Sequence, residues 1–171
     1  MPQPFDTFEP SEKMRPVYEG LLAAFTPWGV LRSQPILSDP RIQLGAPASV
    51  ESLMKVHDYL RSPPPPALAL FWEITDGLRF DFDTIVFSTA QFVDQNRQIR
   101  TLPHRMPFEG LCFIGSMGDG DMFAMGRTTE GEWLNSVMIW EHETDRRYEV
   151  AESLAEYVAK MIVWWADESH G

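Results

Sequence analysis

The sequence predicts an α+β domain, an antiparallel sheet of about five to six strands wrapped by helices. Two apolar runs within Leu111–Arg127 flank Gly118-Asp119-Gly120-Asp121, and an Asp-Gly turn between apolar runs is among the strongest short-range hairpin signals. Ser136–His142, with Val137, Met138, Ile139 and Trp140 in succession, follows with no helix before it, so the strands run as an antiparallel meander. All three are apolar almost throughout, which demands cover on both faces and therefore helices around the sheet.

Taken in order, Met1–Pro10 lacks any period and reads as a frayed arm. Ser11 caps a helix in which Met14, Val17, Tyr18, Leu21, Leu22 and Phe25 recur at helical spacing, with Pro16 tolerated in the first turn or moving the start to Arg15. Prolines at 27, 35, 40 and 47 make Thr26–Pro47 an extended excursion, with a short edge strand expected at Val30–Leu31. Ser49 opens a second helix to Arg61, with Val50, Leu53, Met54, His57 and Leu60 on one face. Pro63–Pro66 reads as a stiff connector whose last proline takes the first turn of the next helix; the same run also fits a polyproline ligand of an SH3 or WW module. Ala67–Thr75 is apolar nearly all round except at Glu73, the mark of a buried helix, and it stops at Asp76-Gly77.

Arg79–Asp83 then alternates with Phe80 and Phe82 on one side, and Thr84–Phe87 adds another short strand. Ser88 with Gln91 makes a capping box for a helix to about Arg97 that turns Phe92 and Val93 inward. A proline-broken loop at Thr101–Gly110 leads to the hairpin, a loop centred on Glu130-Gly131-Glu132, the third strand, and a further strand at Arg146–Val150. Ser153 with Glu156 caps the last helix, which runs to about Ala166 with Leu154, Tyr157, Val158, Met161, Ile162 and Trp165 inward. Its apolar surface extends to Trp164, too wide for one stripe. Either the N-terminal helix covers the second side, or an aromatic patch is left for a partner or a homodimer.

A chain of 171 residues is one domain, able to bury roughly 70% of its unfolded surface. Residues 1–47 read as a helix and proline-rich extension packed on a core spanning 48–171. The single cysteine, Cys112, excludes an internal disulfide and fits a reducing cytoplasm, or equally any compartment in which the thiol stays buried. Met1–Pro10 lacks the basic-then-apolar start of a signal peptide, and the longest apolar runs fall short of the ~20 residues that span a bilayer. Against 25 Asp and Glu stand 14 Lys and Arg, a net charge of −11. Such a surface repels phosphate, which disfavours nucleic acid and favours a basic protein partner, although the same charge also serves solubility.

No motif identifies a chemistry. The Gly118–Asp121 turn lacks the oxygen ligands of a calcium loop, because Met122, Ala124 and Met125 stand where ligands are needed. Glu141-His142-Glu143 begins like a zinc-protease motif, but Arg146 occupies the second histidine's position. His57 has no second histidine at helical spacing, and the glycines at 115, 118 and 120 precede no helix. Cys112, with His104 or His142 as base, is a nucleophile only if exposed, whereas its neighbours predict burial. The residues by themselves lead to a binding or scaffold domain with no metal or cofactor.

The order of these features resembles the SUKH superfamily, which includes a yeast cell-wall synthesis regulator and many bacterial immunity proteins. The resemblance covers roughly residues 49–166. It runs through the proline-started helix ending at Asp76-Gly77, the strand pair, the helix capped at Ser88, the hairpin Phe113–Met125, the strand ending Trp140-Glu141-His142 and the final helix from Ser153. It implies an α+β fold without catalytic residues, acting as an immunity protein that neutralises a cognate toxin, often a nuclease or deaminase. The lead-in Met1–Pro47 departs from the shortest members.

On this reading the chain is a cytoplasmic, non-enzymatic binding module, a monomer or homodimer, whose acidic surface steers it to a basic toxin. The expected contacts are Asp81, Asp83, Asp119, Asp121, Glu130 and Glu132, chosen for exposure. The competing readings are a regulatory or scaffold protein that docks through Trp164 and Trp165, and a hydrolase whose carboxylates and histidines meet in a cleft.

Overall fold

The computed structural model describes residues 8–24, 28–102 and 107–167. The fold is α+β, as expected, with one strand more than the expected range. Seven strands form one antiparallel sheet in chain order: β1 (Ile42–Leu44), β2 (Leu78–Phe80), β3 (Asp83–Val86), β4 (Leu111–Ser116), β5 (Met122–Arg127), β6 (Trp133–Trp140) and β7 (Arg147–Ala151). The described helices are α1 (Arg15–Ala24), α2 (Val50–Leu60), α3 (Pro66–Ile74), α4 (Thr89–Ile99) and α5 (Leu154–Ala166). Because neighbours in the sheet are neighbours in sequence, the β2–β3, β4–β5 and β6–β7 turns all emerge at one end of it. The β5–β6 loop lies at the other.

Several elements start where their local chemistry dictates. The Ser88 hydroxyl accepts from the Gln91 N–H at 3.1 Å while Gln91 Oε1 accepts from the Ser88 N–H at 3.0 Å, a reciprocal box that opens α4. Asp76 reinforces it from the end of α3, accepting from the Thr89 N–H at 2.6 Å and the Thr89 hydroxyl at 3.0 Å. Gly77, at φ +105°, makes the reversal between them. At α5 the Ser153 hydroxyl accepts from the Glu156 N–H, but the Glu156 carboxylate accepts from the Glu152 N–H, so the expected box is displaced by one residue.

The tertiary setting overrides three local expectations. No strand forms at Val30–Leu31. Residues Trp28–Ser33 and Pro35–Ser38 are 3-10 turns, and the edge strand is β1, where Ile42 pairs with Phe80 and Leu44 with Leu78. In α2 the inward face is turned toward Leu53, Val56 and Tyr59, leaving Val50 74% and Met54 59% exposed and His57 on the surface. The run Arg79–Asp83 is broken by a turn after Phe80, so Phe82 does not share that residue's face and is 93% exposed. Phe25, His104 and Met1–Thr7 lie outside the described residues.

Helix α5 crosses one face of the sheet. Its Tyr157 packs on Phe123, with ring centroids 4.8 Å apart, and donates its hydroxyl to the Ile85 carbonyl at 2.6 Å. A Cβ on Gly115 would collide with that carbonyl and with the Tyr157 hydroxyl, so only glycine fits beneath the contact. Helix α1 packs on α5, which supplies the second-side cover that the wide apolar surface of α5 requires. The opposite sheet face carries Phe113, Trp140 and Phe108 in edge-to-face contact.

Helix α4 completes the sheet in an unusual way. Along β4, β5 pairs with one edge throughout, whereas the other edge meets β3 at Thr84–Ser116 and the Phe87 N–H at Ile114. Beyond that point Asn96 takes the place of a strand: its amide donates to the Phe113 carbonyl and its Oδ1 accepts from the Phe113 N–H, both at 2.8 Å. Arg100 donates to the Leu111 carbonyl at 2.5 Å. Asn96→Ala strands a buried N–H and a buried carbonyl, an expected loss of roughly 2–5 kcal/mol. Urea unfolding of the variant measures it, and an unchanged midpoint would contradict the strand-surrogate role.

Candidate binding surface

The three turns at one end of the sheet gather a strongly acidic surface. Across residues 81–83, 117–121 and 141–147 there are seven carboxylates against two arginines. The β2–β3 turn contributes Asp81 in the left-handed region at φ +49°, its N–H donated to the Arg41 carbonyl at 2.9 Å, and beside it the exposed Phe82. The half-buried Asp83 reaches across to the next turn and accepts from the Gly118 N–H at 2.5 Å. Burial pushes the Asp83 carboxyl up, the Gly118 bond pulls it down, and the charges of Asp119 and Asp81 push it up further.

Within the β4–β5 turn, the exposed Asp119 accepts from the Asp121 N–H at 3.0 Å, and Gly120 sits at φ +104°. Asp121 was expected to be exposed and is not. At 5% exposure it points toward the β6–β7 turn, where one oxygen accepts from the His142 N–H at 3.0 Å and lies 2.8 Å from His142 Nδ1. A carboxylate only accepts, so the Nδ1 carries the hydrogen. The pair locks two turns together across the sheet end. Around it Asp119, Glu141, Glu143 and Thr144 complete a polar cleft of about 280 Å³. Glu141 accepts from Thr144 and from the Tyr148 hydroxyl, while Asp145 accepts from Trp140 Nε1 at 2.6 Å. Glu143 is exposed.

The expected contact residues therefore do not form one surface. Asp81, Asp83 and Asp119 come together, and Asp121 lies beneath them as a structural lock. Glu130 and Glu132 sit on the β5–β6 loop at the far end, where the Glu130 carboxyl is held low by its own N–H and then by the Thr129 and Thr128 hydroxyls. Trp164 is half-buried on α5, and Trp165 stacks on Phe80 with centroids 6.0 Å apart. Phe82, Glu141 and Glu143 belong to the acidic end but were not among the expected contacts. Their signal, aromatic or acidic residues at strand breaks, becomes visible only once the breaks are placed.

Cys112 is buried on β4, and burial pushes its thiol up to about 12. It is not a nucleophile in the folded chain. Among the described residues no group of three or more His, Cys, Asp and Glu side chains is arranged to hold a metal ion, and no helix is long and apolar enough to cross a membrane. An open groove of about 910 Å³ lies between α1 and Pro35–Arg41, lined by apolar side chains such as Met14, Val17, Leu21 and Ile36. Neither protein-family models nor curated proteins give a match to the chain.

Two outcomes follow from the titrating groups. Above about pH 9 the unfolded thiol ionises while the folded one keeps its proton, so the native state binds more protons and stability falls as pH rises. Cys112→Ala is expected to lessen that fall in urea titrations, and a thiol reagent should modify the wild type only after unfolding. At Asp83 the raised carboxyl means that protonation favours the fold, so its contribution is present at low pH and lost as pH rises through the folded value. Asp83→Asn keeps an oxygen acceptor for Gly118 and is expected to raise the urea midpoint at pH 7. A lowered midpoint would show that the charge is structural.

Proposed function

We propose that the chain is a non-enzymatic protein-binding module of the SUKH kind, an immunity protein that occupies the active-site face of a basic toxin such as a nuclease or deaminase. The observation that supports this reading is the gathering of acidic side chains from three hairpin turns at one end of a locked sheet. Carboxylates on such a frame match the positive potential with which a nuclease meets phosphate, and they accelerate encounter through long-range attraction. Hydrogen bonds between the turns hold the charges in place before binding, so little ordering entropy is lost on association.

A second reading has one observation in its favour. Asp121 orients His142 in a polar cleft with Glu141 and Glu143, an arrangement that general-base hydrolysis employs. The geometry serves binding better, because Asp121 also holds the His142 backbone and so acts as a tie between turns. His142→Ala distinguishes the two, since it abolishes a hydrolase and leaves toxin binding within a few-fold.

The direct test is co-expression with the product of any large reading frame found beside the chain's own, scored by survival and by calorimetric titration of the purified pair across salt concentrations; the absence of such a frame favours a regulatory partner instead. Joint replacement of Asp81, Asp119 and Glu143 by lysine is expected to weaken binding ~10-fold or more at low salt and to flatten its salt dependence. The same changes at Glu130 and Glu132 should leave both unaltered. Equal effects at the two ends would remove the assignment of the acidic end as the binding face.

A further inference from the structure

Among the exposed large apolar side chains of the described residues Phe82 stands apart. Val50, Met54, Leu70, Leu102 and Leu134 keep between 42% and 74% of their surface in water, whereas Phe82 keeps 93%. An aromatic ring in that position gives nothing to the core, and its exposure costs solubility. Nor is it on a loose segment. The preceding residue donates its N–H to Arg41, Phe80 and Asp83 pair in the sheet, and Asp83 accepts from Gly118. The ring is carried on a turn fixed at three points, between two aspartates and opposite Asp119.

We infer that Phe82 is the anchor of the interface, inserted into an apolar socket ringed by lysine and arginine on a basic protein partner; this rests on the binding-module reading above. Rigid aromatic side chains lose little rotamer entropy when they dock, which is why they dominate binding energy at interface centres. The flanking carboxylates specify the rim of the socket. Asp81 and Asp119 are exposed and Asp83 is half-buried, so their charges surround the ring without a neutralising cation on their own turns. A partner with an acidic or neutral rim would bury those charges unpaired, at a cost that exceeds what the ring contributes. A second copy of this chain would oppose carboxylates to carboxylates, so the charge excludes self-association through this tip.

The ring and the charges have separable signatures, because an anchor controls dissociation whereas rim charges control association and salt dependence. In the test, Phe82 of the full chain is replaced by the photoreactive p-benzoylphenylalanine, the cell of origin is irradiated, and the protein joined to residue 82 is identified, purified and titrated against the variants. The expected adduct is a protein of net positive charge. Phe82→Ala should bind it about 30-fold or more weaker, through faster dissociation and with the salt slope unchanged, the equivalent of a hot-spot side chain. Phe82→Trp should stay within a few-fold. An adduct with a second copy or with an acidic protein, or no adduct, overturns the proposal. If Phe82→Ala binds within about 3-fold of wild type while Asp81→Lys with Asp119→Lys weakens binding, the anchor is wrong and the acidic-face reading stands. If neither change matters, both fall.

Discussion

The architecture depends on how the open edge of β4 is satisfied. A buried strand cannot leave a row of N–H and C=O groups unpaired, and β3 accompanies β4 only at its far end before the chain departs into α4. Asn96 and Arg100 supply the missing bonds from the helix, so α4 has to start at one place and run in one direction. This explains the density of caps at its N-terminus, where Ser88, Gln91 and Asp76 all converge. A helix shifted by a single residue would turn Asn96 about 100° away from Phe113. Asp76, at the end of α3, ties the preceding helix into the same register, and Trp72 of α3 donates to the Phe87 carbonyl at 2.9 Å where β3 ends.

From that constraint follows the character of the two sheet ends. The end near Phe87 and Phe113 carries the helical connections through α2, α3 and α4 beside the exposed β5–β6 loop, so most of its chemistry is committed to structure. The opposite end carries three tight turns beside the lead-in to β1, and such turns are free to hold residues that no core requires. The tie between Asp121 and His142 and the bond from Gly118 to Asp83 run perpendicular to the strands and join turns that the meander merely sets side by side. They convert three independent hairpin tips into one surface. A binding face needs both properties, freedom from the core and fixed relative positions.

What was legible in the sequence is what local chemistry decides. The Ser88 box, the Gly118–Asp121 turn and the apolar run of α3 each depend on neighbours a few residues away, and each is found where expected. The missed features depend on contacts distant in sequence. Two overlapping arcs of α2 satisfy helical spacing, and only the packing of α2 on α4 selects Val56 over Met54. Phe80 and Phe82 alternate as a strand would, and the turn between them becomes apparent only when Arg41, just ahead of β1, supplies an acceptor for the Asp81 N–H. Asp119 and Asp121 are equivalent acidic turn residues on paper. Their opposite fates, one in water and one buried, are decided by a histidine 21 residues further on. The candidate surface was thus half readable: its charge could be seen, but its grouping and its aromatic tip could not.

The acidic end also runs against the interests of the fold. Burial and two neighbouring aspartates push the Asp83 carboxyl up, so its charge weakens the native state that positions it. Asp81 adopts a left-handed backbone without the freedom of glycine, and Phe82 exposes a ring that water disfavours. Each of these departures is small, and none is required by the sheet, since glycine or asparagine at 81, a polar residue at 82 and asparagine at 83 would close the same turn with less conflict. Departures that are unneeded by the fold yet concentrated within three residues are what a function imposed on a stable frame looks like. The remainder of the molecule, with its caps, its strand surrogate and its packed aromatic core, supplies the stability against which that conflict is held.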